Sequence, residues 1–192
     1  MNGLWITSHV ALWIVVLLLT LFLMALARQI GVLSLRVGPA GARTMDIGPE
    51  IGSPAPGILA LDLRGRKVTL GVEREHRTIV VFVSPTCSTC ARVVRGLGAL
   101  VRKERNTEAI LISSPDHDAD AIQAFADENQ IVPPLTLVVS AEVGFAYRVQ
   151  TTPYAVLVDA SGIVRARGLV NHIEHLESLL NAEELSQATV EA

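Results

Sequence analysis

The sequence predicts an α/β three-layer domain carried behind a single apolar helix, and three observations lead there. The first 27 residues hold no Lys, Arg, Asp or Glu. Glycine and proline then cluster between Arg28 and Pro56. Beyond them, short apolar runs alternate with segments of helical spacing, the pattern of a layered α/β domain. At 192 residues the chain accommodates one ordinary domain and an appendage. Half of it is hydrophobic and 18% is charged, with a mean hydropathy of +0.43, so the apolar excess must be concentrated in one place. A net charge of −3 argues against a broad nucleic-acid surface, and two cysteines exclude a disulfide-rich scaffold.

That place is the N-terminus. Val10–Ala27 reads VALWIVVLLLTLFLMALA, which as a helix spans ~27 Å at ~1.5 Å per residue, close to the ~30 Å hydrocarbon core. Trp5 and Trp13 suit the interfacial belt. A cleaved signal peptide competes, because Ala25-Leu26-Ala27 resembles a cleavage site. The apolar run is too long for a signal h-region, however, and no cationic segment precedes it, so an uncleaved anchor is expected. Arg28, Arg36 and Arg43 all follow the helix, which by charge alone would place the rest of the chain in the cytoplasm. That rule weakens when a long domain is translocated. The expected division is a short segment 1–8, a transmembrane anchor 9–30, a linker 31–50, a folded domain 51–181 and a flexible tail 182–192.

Within the folded part, Ile58–Leu63 and Lys67–Leu70 flank Arg64-Gly65-Arg66, a hairpin signal. Thr78–Ser84 (TIVVFVS) is of buried-strand type. Ser88–Arg105 has helical spacing, with Val93, Val94, Leu97, Leu100 and Val101 on one side. Ala109–Ser113 is expected as a strand, and Asp118–Asn129 as a helix capped from Asp116–Asp118. Leu135–Val139 (strand), Glu142–Arg148 (helical turn) and Tyr154–Asp159 (buried strand) follow. Ser161-Gly162 turns the chain into Ile163–Gly168, and Ile173–Leu180 closes as a helix.

Chemistry is concentrated in Cys87-Ser88-Thr89-Cys90, directly after a buried strand and opening a helix. This spacing brings two sulfurs together at the positive end of a helix dipole, where free N–H groups favour a thiolate. A thiolate attacks disulfides, and a second thiol resolves the mixed disulfide. Cys87 is therefore the expected nucleophile and Cys90 the buried resolving thiol. Inert core cysteines, or a zinc site completed by His172 and His175, are the bland alternatives. Asp116-His117-Asp118-Ala119-Asp120 reads as a polar loop and cap rather than a metal cluster. No metal and no cofactor are expected. Thr151-Thr152-Pro153-Tyr154 precedes the strand AVLVD. Proline is tolerated at a strand's first residue. The functional reading makes Thr152–Pro153 a cis peptide beside the cysteines that presents Thr152's backbone to an extended substrate.

A strand, then FVSPTCSTC, a helix and TTP-YAVLVDASGIVRARG resembles the thioredoxin superfamily, in its membrane-tethered TlpA/ResA-like branch. The resemblance implies a thioredoxin-like fold with an N-terminal hairpin and an inserted strand–helix, preceded by one transmembrane helix. The post-anchor segments Arg28-Gln29-Ile30-Gly31-Val32-Leu33 and Pro39-Ala40-Gly41-Ala42 are similar to those of the MauD family of methylamine utilisation proteins. That likeness implies a membrane-anchored thiol–disulfide oxidoreductase or isomerase that assists maturation of an exported disulfide-containing protein. The implied client is the small (beta) subunit of methylamine dehydrogenase. It also implies an upstream membrane thiol donor or acceptor, and a single-pass inner-membrane location with the domain in the periplasm. Competing readings are a TlpA/ResA-like reductant in cytochrome c maturation and a non-catalytic membrane-held docking or chaperone factor. A peroxidase is disfavoured, because the P-x-x-x-T-x-x-C pattern fails with Pro85 only two residues ahead of Cys87.

Two departures from the superfamily matter. Thr78–Ser84 carries no acid to serve as a proton relay beneath the second cysteine, and Pro85-Thr86 stands where a tryptophan usually precedes the first. Ser88-Thr89 lacks the histidine of strongly oxidising pairs, so a more reducing couple is expected.

Overall fold

A computed structural model describes residues 2–36, 48–104 and 106–190. The chain separates into two units, Met1–Asp46 and Ile47–Ala192. The first is a helix, α1 (Asn2–Arg36), whose Trp5–Met24 stretch is long and apolar enough to cross a membrane and has none of its residues buried in protein. Apolar residues surround it on every side, as a helix in contact with lipid requires and a helix on a protein core does not. The linker expected over 31–50 is helical as far as Arg36, and residues 37–47, with Pro39-Ala40-Gly41-Ala42, lie outside the described residues.

The second unit opens with residues 48–56, the end of the glycine- and proline-rich cluster that runs from Arg28 to Pro56. Residues 48–56 do not hang free. Gly52 donates to Val164 O (2.8 Å), Val164 N donates to Ser53 O (2.9 Å), and Ala55 N reaches Gly162 O (2.8 Å). These bonds close the exposed edge of a strand, which would otherwise present unpaired amides to another chain. Their glycine and proline content reads as linker because nothing local reveals a strand edge waiting 110 residues later.

A two-stranded hairpin follows, β1 (Ile58–Leu61) and β2 (Lys67–Leu70), antiparallel in the register Ile58↔Leu70. Its turn is held by Asp62, whose carboxylate accepts from Arg64 N (2.9 Å), Arg66 N (2.8 Å) and Arg66 Nε (2.7 Å). The main sheet contains β3 (Arg77–Phe82), β4 (Thr107–Ser113), β5 (Leu135–Val139), β6 (Tyr154–Val158) and β7 (Val164–Leu169) in the order β5-β4-β3-β6-β7. β3, β4 and β5 run parallel, while β6 and β7 are antiparallel additions. The connecting helices are α2 (Ser88–Lys103), α3 (Ala119–Glu128), α4 (Ala141–Ala146) and α5 (Ile173–Val190).

The central strands read as continuous apolar runs because both faces of the sheet are covered. Ile79, Val81, Val83, Ala109, Leu111, Ala155 and Leu157 share one core with α2, α3 and α5. The intervening Val80, Phe82, Ile110, Ile112, Val156 and Val158 form another with Leu70 and with Val143 and Tyr147 around α4. Period-two alternation thus splits each strand between two cores. α2 buries Val93, Val94, Leu97, Leu100 and Val101, the stripe its spacing predicted, and places Arg102 and Lys103 in its last turn, where cations suit the helix dipole.

Local differences from the sequence reading have physical causes. Asp118 occupies the N-cap position of α3, yet its side chain accepts no capping bond. Asp116 turns back instead to accept from Ser114 Oγ (2.7 Å). α5 continues past Leu180 to Val190, through most of the segment read as a flexible tail, because NAEELSQATV holds good helix formers and neither glycine nor proline. A second cis proline bond, Pro133–Pro134, precedes β5 and had no sequence signal.

Gly71, just after β2, has φ +66°, and a Cβ built there would lie 2.3 Å from Pro56 O. Both the backbone conformation and the space demand glycine. Gly71→Ala should therefore lower stability by at least about 2 kcal/mol, read as a lowered urea midpoint with unchanged slope.

Candidate functional site

α2 begins where β3 ends, so its first residues sit at the rim of the sheet. Cys87 is the N-cap residue, in extended conformation (φ −97°, ψ 106°). Its sulfur takes the role usually filled by a Ser or Asp oxygen and accepts the Cys90 amide at 3.2 Å. Cys87 N in turn donates to Ser84 O (3.1 Å).

The two thiols, both free, are unequal. Cys87 is partly exposed, whereas Cys90 is fully buried among the residues between α2 and the sheet. Burial pushes the Cys90 thiol up to about 12, helped by its hydrogen bond to Cys87 and by that group's charge. The Ser84 backbone and the Thr152 side chain pull in the opposite direction. The face of β3 beneath α2 presents Ile79 and Val81, and Val83 just past the strand joins the same core. The acid missing from Thr78–Ser84 is thus not replaced on that face, and a backbone group and a hydroxyl are what stabilise a Cys90 thiolate.

Thr152–Pro153 is cis, with Thr152 exposed and Pro153 buried. Pro153 O accepts from Val170 N (3.1 Å), which ties the turn to the end of β7. The Thr152 side chain lies near enough to lower the Cys90 thiol, so the fold unites the Cys87–Cys90 pair and the Thr152–Pro153 turn, which are far apart in sequence. The two histidines are placed differently. His172 and His175 pack edge-to-face, 5.8 Å apart, at the start of α5, where His175 Nδ1 accepts from Asn171 N (3.3 Å). Among the described residues no three His, Cys, Asp or Glu side chains gather as a metal site would need. Asp116 and His117 belong to the β4–α3 turn.

Sequence reasoning missed one feature. An open cleft of about 820 Å³ runs between α4, the β4–α3 turn and Thr151–Thr152, and it reaches Ser84. No motif encodes it, although a phenylalanine in a short helix beside the TTP turn is a signal that could have been weighed.

Two sulfurs at the head of a helix, beside a cis-proline turn on a five-stranded mixed sheet, define a thioredoxin-like protein of the thiol–disulfide oxidoreductase class. Residues 51–167 match the AhpC/TSA family. More particularly, the chain belongs to the MauD family of methylamine utilization proteins. It is 38% identical to the MauD of Paracoccus versutus over 97% of this chain and 92% of that one. With the MauD of Methylorubrum extorquens it shares 36% identity over 97% and 90%. Solved structures share the fold. The thioredoxin domain of a thiol-disulfide oxidoreductase from Bacteroides vulgatus superposes with TM-score 0.58 at 22% identity, covering 68% of this chain and 97% of that one. A secreted Mycobacterium tuberculosis disulfide oxidoreductase, described as homologous to DsbE of E. coli, gives 0.56 at 18%, covering 65% and 95%.

The raised Cys90 thiol has a measurable consequence. In a Cys87→Ser variant, alkylation of Cys90 by iodoacetamide should stay slow at pH 9, the ordinary thiol range, and rise only above it, because burial is the largest cause of the shift. The same shift favours the protonated thiol in the folded state. Its contribution to the stability of the reduced protein is therefore complete below about pH 9 and lost as pH climbs toward 12. Urea midpoints of reduced protein across that range, compared with Cys90→Ala, test the sign.

Proposed function

We propose that this protein is a membrane-anchored thiol–disulfide oxidoreductase or isomerase for an exported client, with the methylamine dehydrogenase small subunit as that client. The observation that carries the chemistry is the 3.2 Å bond from the Cys90 amide to the Cys87 sulfur, with one sulfur accessible and the other enclosed. Cys87 acts as nucleophile. Its thiolate attacks one sulfur of a client disulfide, forming a mixed disulfide and releasing the other client sulfur as a thiolate that takes up a proton. Cys90 then loses its proton and attacks the Cys87 sulfur, releasing the second client thiol and closing the Cys87–Cys90 disulfide. Two electrons pass to the client, and run in reverse the same steps oxidise it.

The timing follows from the causes acting on Cys90. Two of the effects that raise it come from Cys87, the hydrogen bond and the charge. Both weaken when Cys87 is tied up in a mixed disulfide, whereas the stabilising contacts from Ser84 and Thr152 remain. Cys90 thus becomes a better nucleophile at the moment it is needed. Thr152 and Pro153 supply the surface on which the client backbone lies during the exchange.

The MauD relationship supports the place in methylamine utilisation, and the long apolar α1 supports a membrane anchor; an exported client requires that the membrane be the inner one and the domain lie in the periplasm. An upstream membrane thiol partner would restore the Cys87–Cys90 pair after each turnover.

Full-length protein in detergent provides the test. Cys87→Ser should reduce insulin-disulfide exchange to background, and Cys90→Ser should accumulate a dithiothreitol-sensitive adduct with the methylamine dehydrogenase small subunit in producing cells. Absence of any adduct refutes the client, and full client maturation with both cysteines replaced refutes the chemistry. A reporter fused after Ala192 and active only after export should be active; a cytoplasmic signal overturns the location.

A further inference from the structure

We propose that the outer face of the β1–β2 hairpin rests on the surface of an anionic phospholipid bilayer. This rests on the reading of α1 as a membrane anchor. Alternation along the two strands divides the hairpin into two faces. Ile58, Ala60, Val68 and Leu70 turn inward onto the second core. Leu59 and Leu61 point the other way and are 57% and 55% exposed. The register sets Thr69 opposite Leu59 and Lys67 opposite Leu61, so these four share the outer face. An antiparallel sheet with one face in water ordinarily carries polar residues there. Two leucines depart from that rule, and Leu63 adds a third, 40% exposed, at the head of the turn. Contiguous apolar surface of this kind marks a partner.

Charge identifies the partner. The whole chain is net −3, yet residues 59–67 hold three cations, Arg64, Arg66 and Lys67, against one acid, Asp62. All three cations are exposed. The Asp62 side chain, only 4% exposed, is enclosed by the turn amides and by Arg66 Nε at 2.7 Å. Arg64 and Lys67 pair with no carboxylate among the described residues. Leucines beside unpaired cations fit the bilayer interface, where apolar side chains enter the headgroup–acyl boundary and basic ones meet phosphate. A second copy presenting the same face would instead set these cations against their like. Reach is also satisfied. α1 is described to Arg36 and the domain from Gly48, and the eleven residues between span at most about 40 Å. A contact too weak to hold a free domain then suffices, because the tether keeps the hairpin at high local concentration beside lipid.

The test uses full-length protein with Cys87→Ser and Cys90→Ser in nanodiscs of phosphatidylcholine alone or mixed with phosphatidylglycerol, doped with headgroup-nitroxide lipid. Bimane is attached at Thr69→Cys on the hairpin or, as reference, at Glu177→Cys on α5, which packs on the opposite core. In phosphatidylglycerol discs the Thr69 label should show a population with nitroxide-shortened lifetime that the Glu177 label lacks. Arg64→Gln with Lys67→Gln should lower the ratio of quenched to unquenched label roughly tenfold, the scale for two cations leaving an anionic surface. Leu59→Ser with Leu61→Ser should lower it by a similar factor through lost apolar burial. Discs of phosphatidylcholine alone should match the charge substitutions. Equal lifetimes for the two labels in phosphatidylglycerol discs overturn the inference, as does quenching that either pair of substitutions leaves unchanged; the anchor reading then still stands. Protection of the Thr69 label from aqueous iodide without nitroxide quenching assigns the face to a protein and overturns it as well. If the protein elutes apart from the discs, the anchor reading falls and the inference with it.

Discussion

The bond from the Cys90 amide to the Cys87 sulfur depends on α2 starting at the rim of the sheet, and nearly everything else in the molecule serves that placement. A helix N-terminus has N–H groups with no intrahelical partner. Here one of them is spent on a sulfur. The helix is held in register by Val93, Val94, Leu97, Leu100 and Val101 packing on Ile79, Val81, Val83, Ala109 and Leu111. Because β3 lies at the centre of the sheet, paired on both sides, its end offers a stable platform for the reactive turn.

Burial then differentiates two chemically identical groups. One sulfur faces outward where a partner can meet it, and the other is enclosed where only its neighbour can. An acid beneath the second thiol is one way to remove its proton. This protein has an apolar strand face there and relies on the Ser84 backbone, the Thr152 side chain and the changing state of Cys87. The acidity of Cys90 is thereby coupled to whether Cys87 is free, which in the proposed exchange orders the two steps without a dedicated base.

The opposite sheet face does different work. α4, capped by Ser140 through its bond to Val143 N (3.3 Å), is anchored by Val143 and Tyr147 on the second core. Such a short helix cannot be stable alone. Its burial on one side leaves Gly144 and Phe145 facing the cleft, so a core contact on one side of the helix sets the cleft wall on the other.

Much of this was legible without coordinates. The apolar N-terminus, the strand–helix alternation, the CSTC turn and the TTP turn are local signals, each set by a few neighbouring residues whose periodicity or chemistry acts over one element. The stripe of α2 and the buried run of β3 follow from the same cause. Other features arise only when distant segments meet. Residues 48–56 look like linker until the edge of β7 accepts them, and Asp118 looks like a cap although its side chain makes no capping bond. Which sulfur is enclosed, which hydroxyl reaches it, and that α4 and the TTP turn border one cleft are matters of packing between elements. Local pattern therefore determined the reactive pair and its helix, while long-range contact alone decided their asymmetry and the surface beside them, because burial and proximity are properties of the assembled chain.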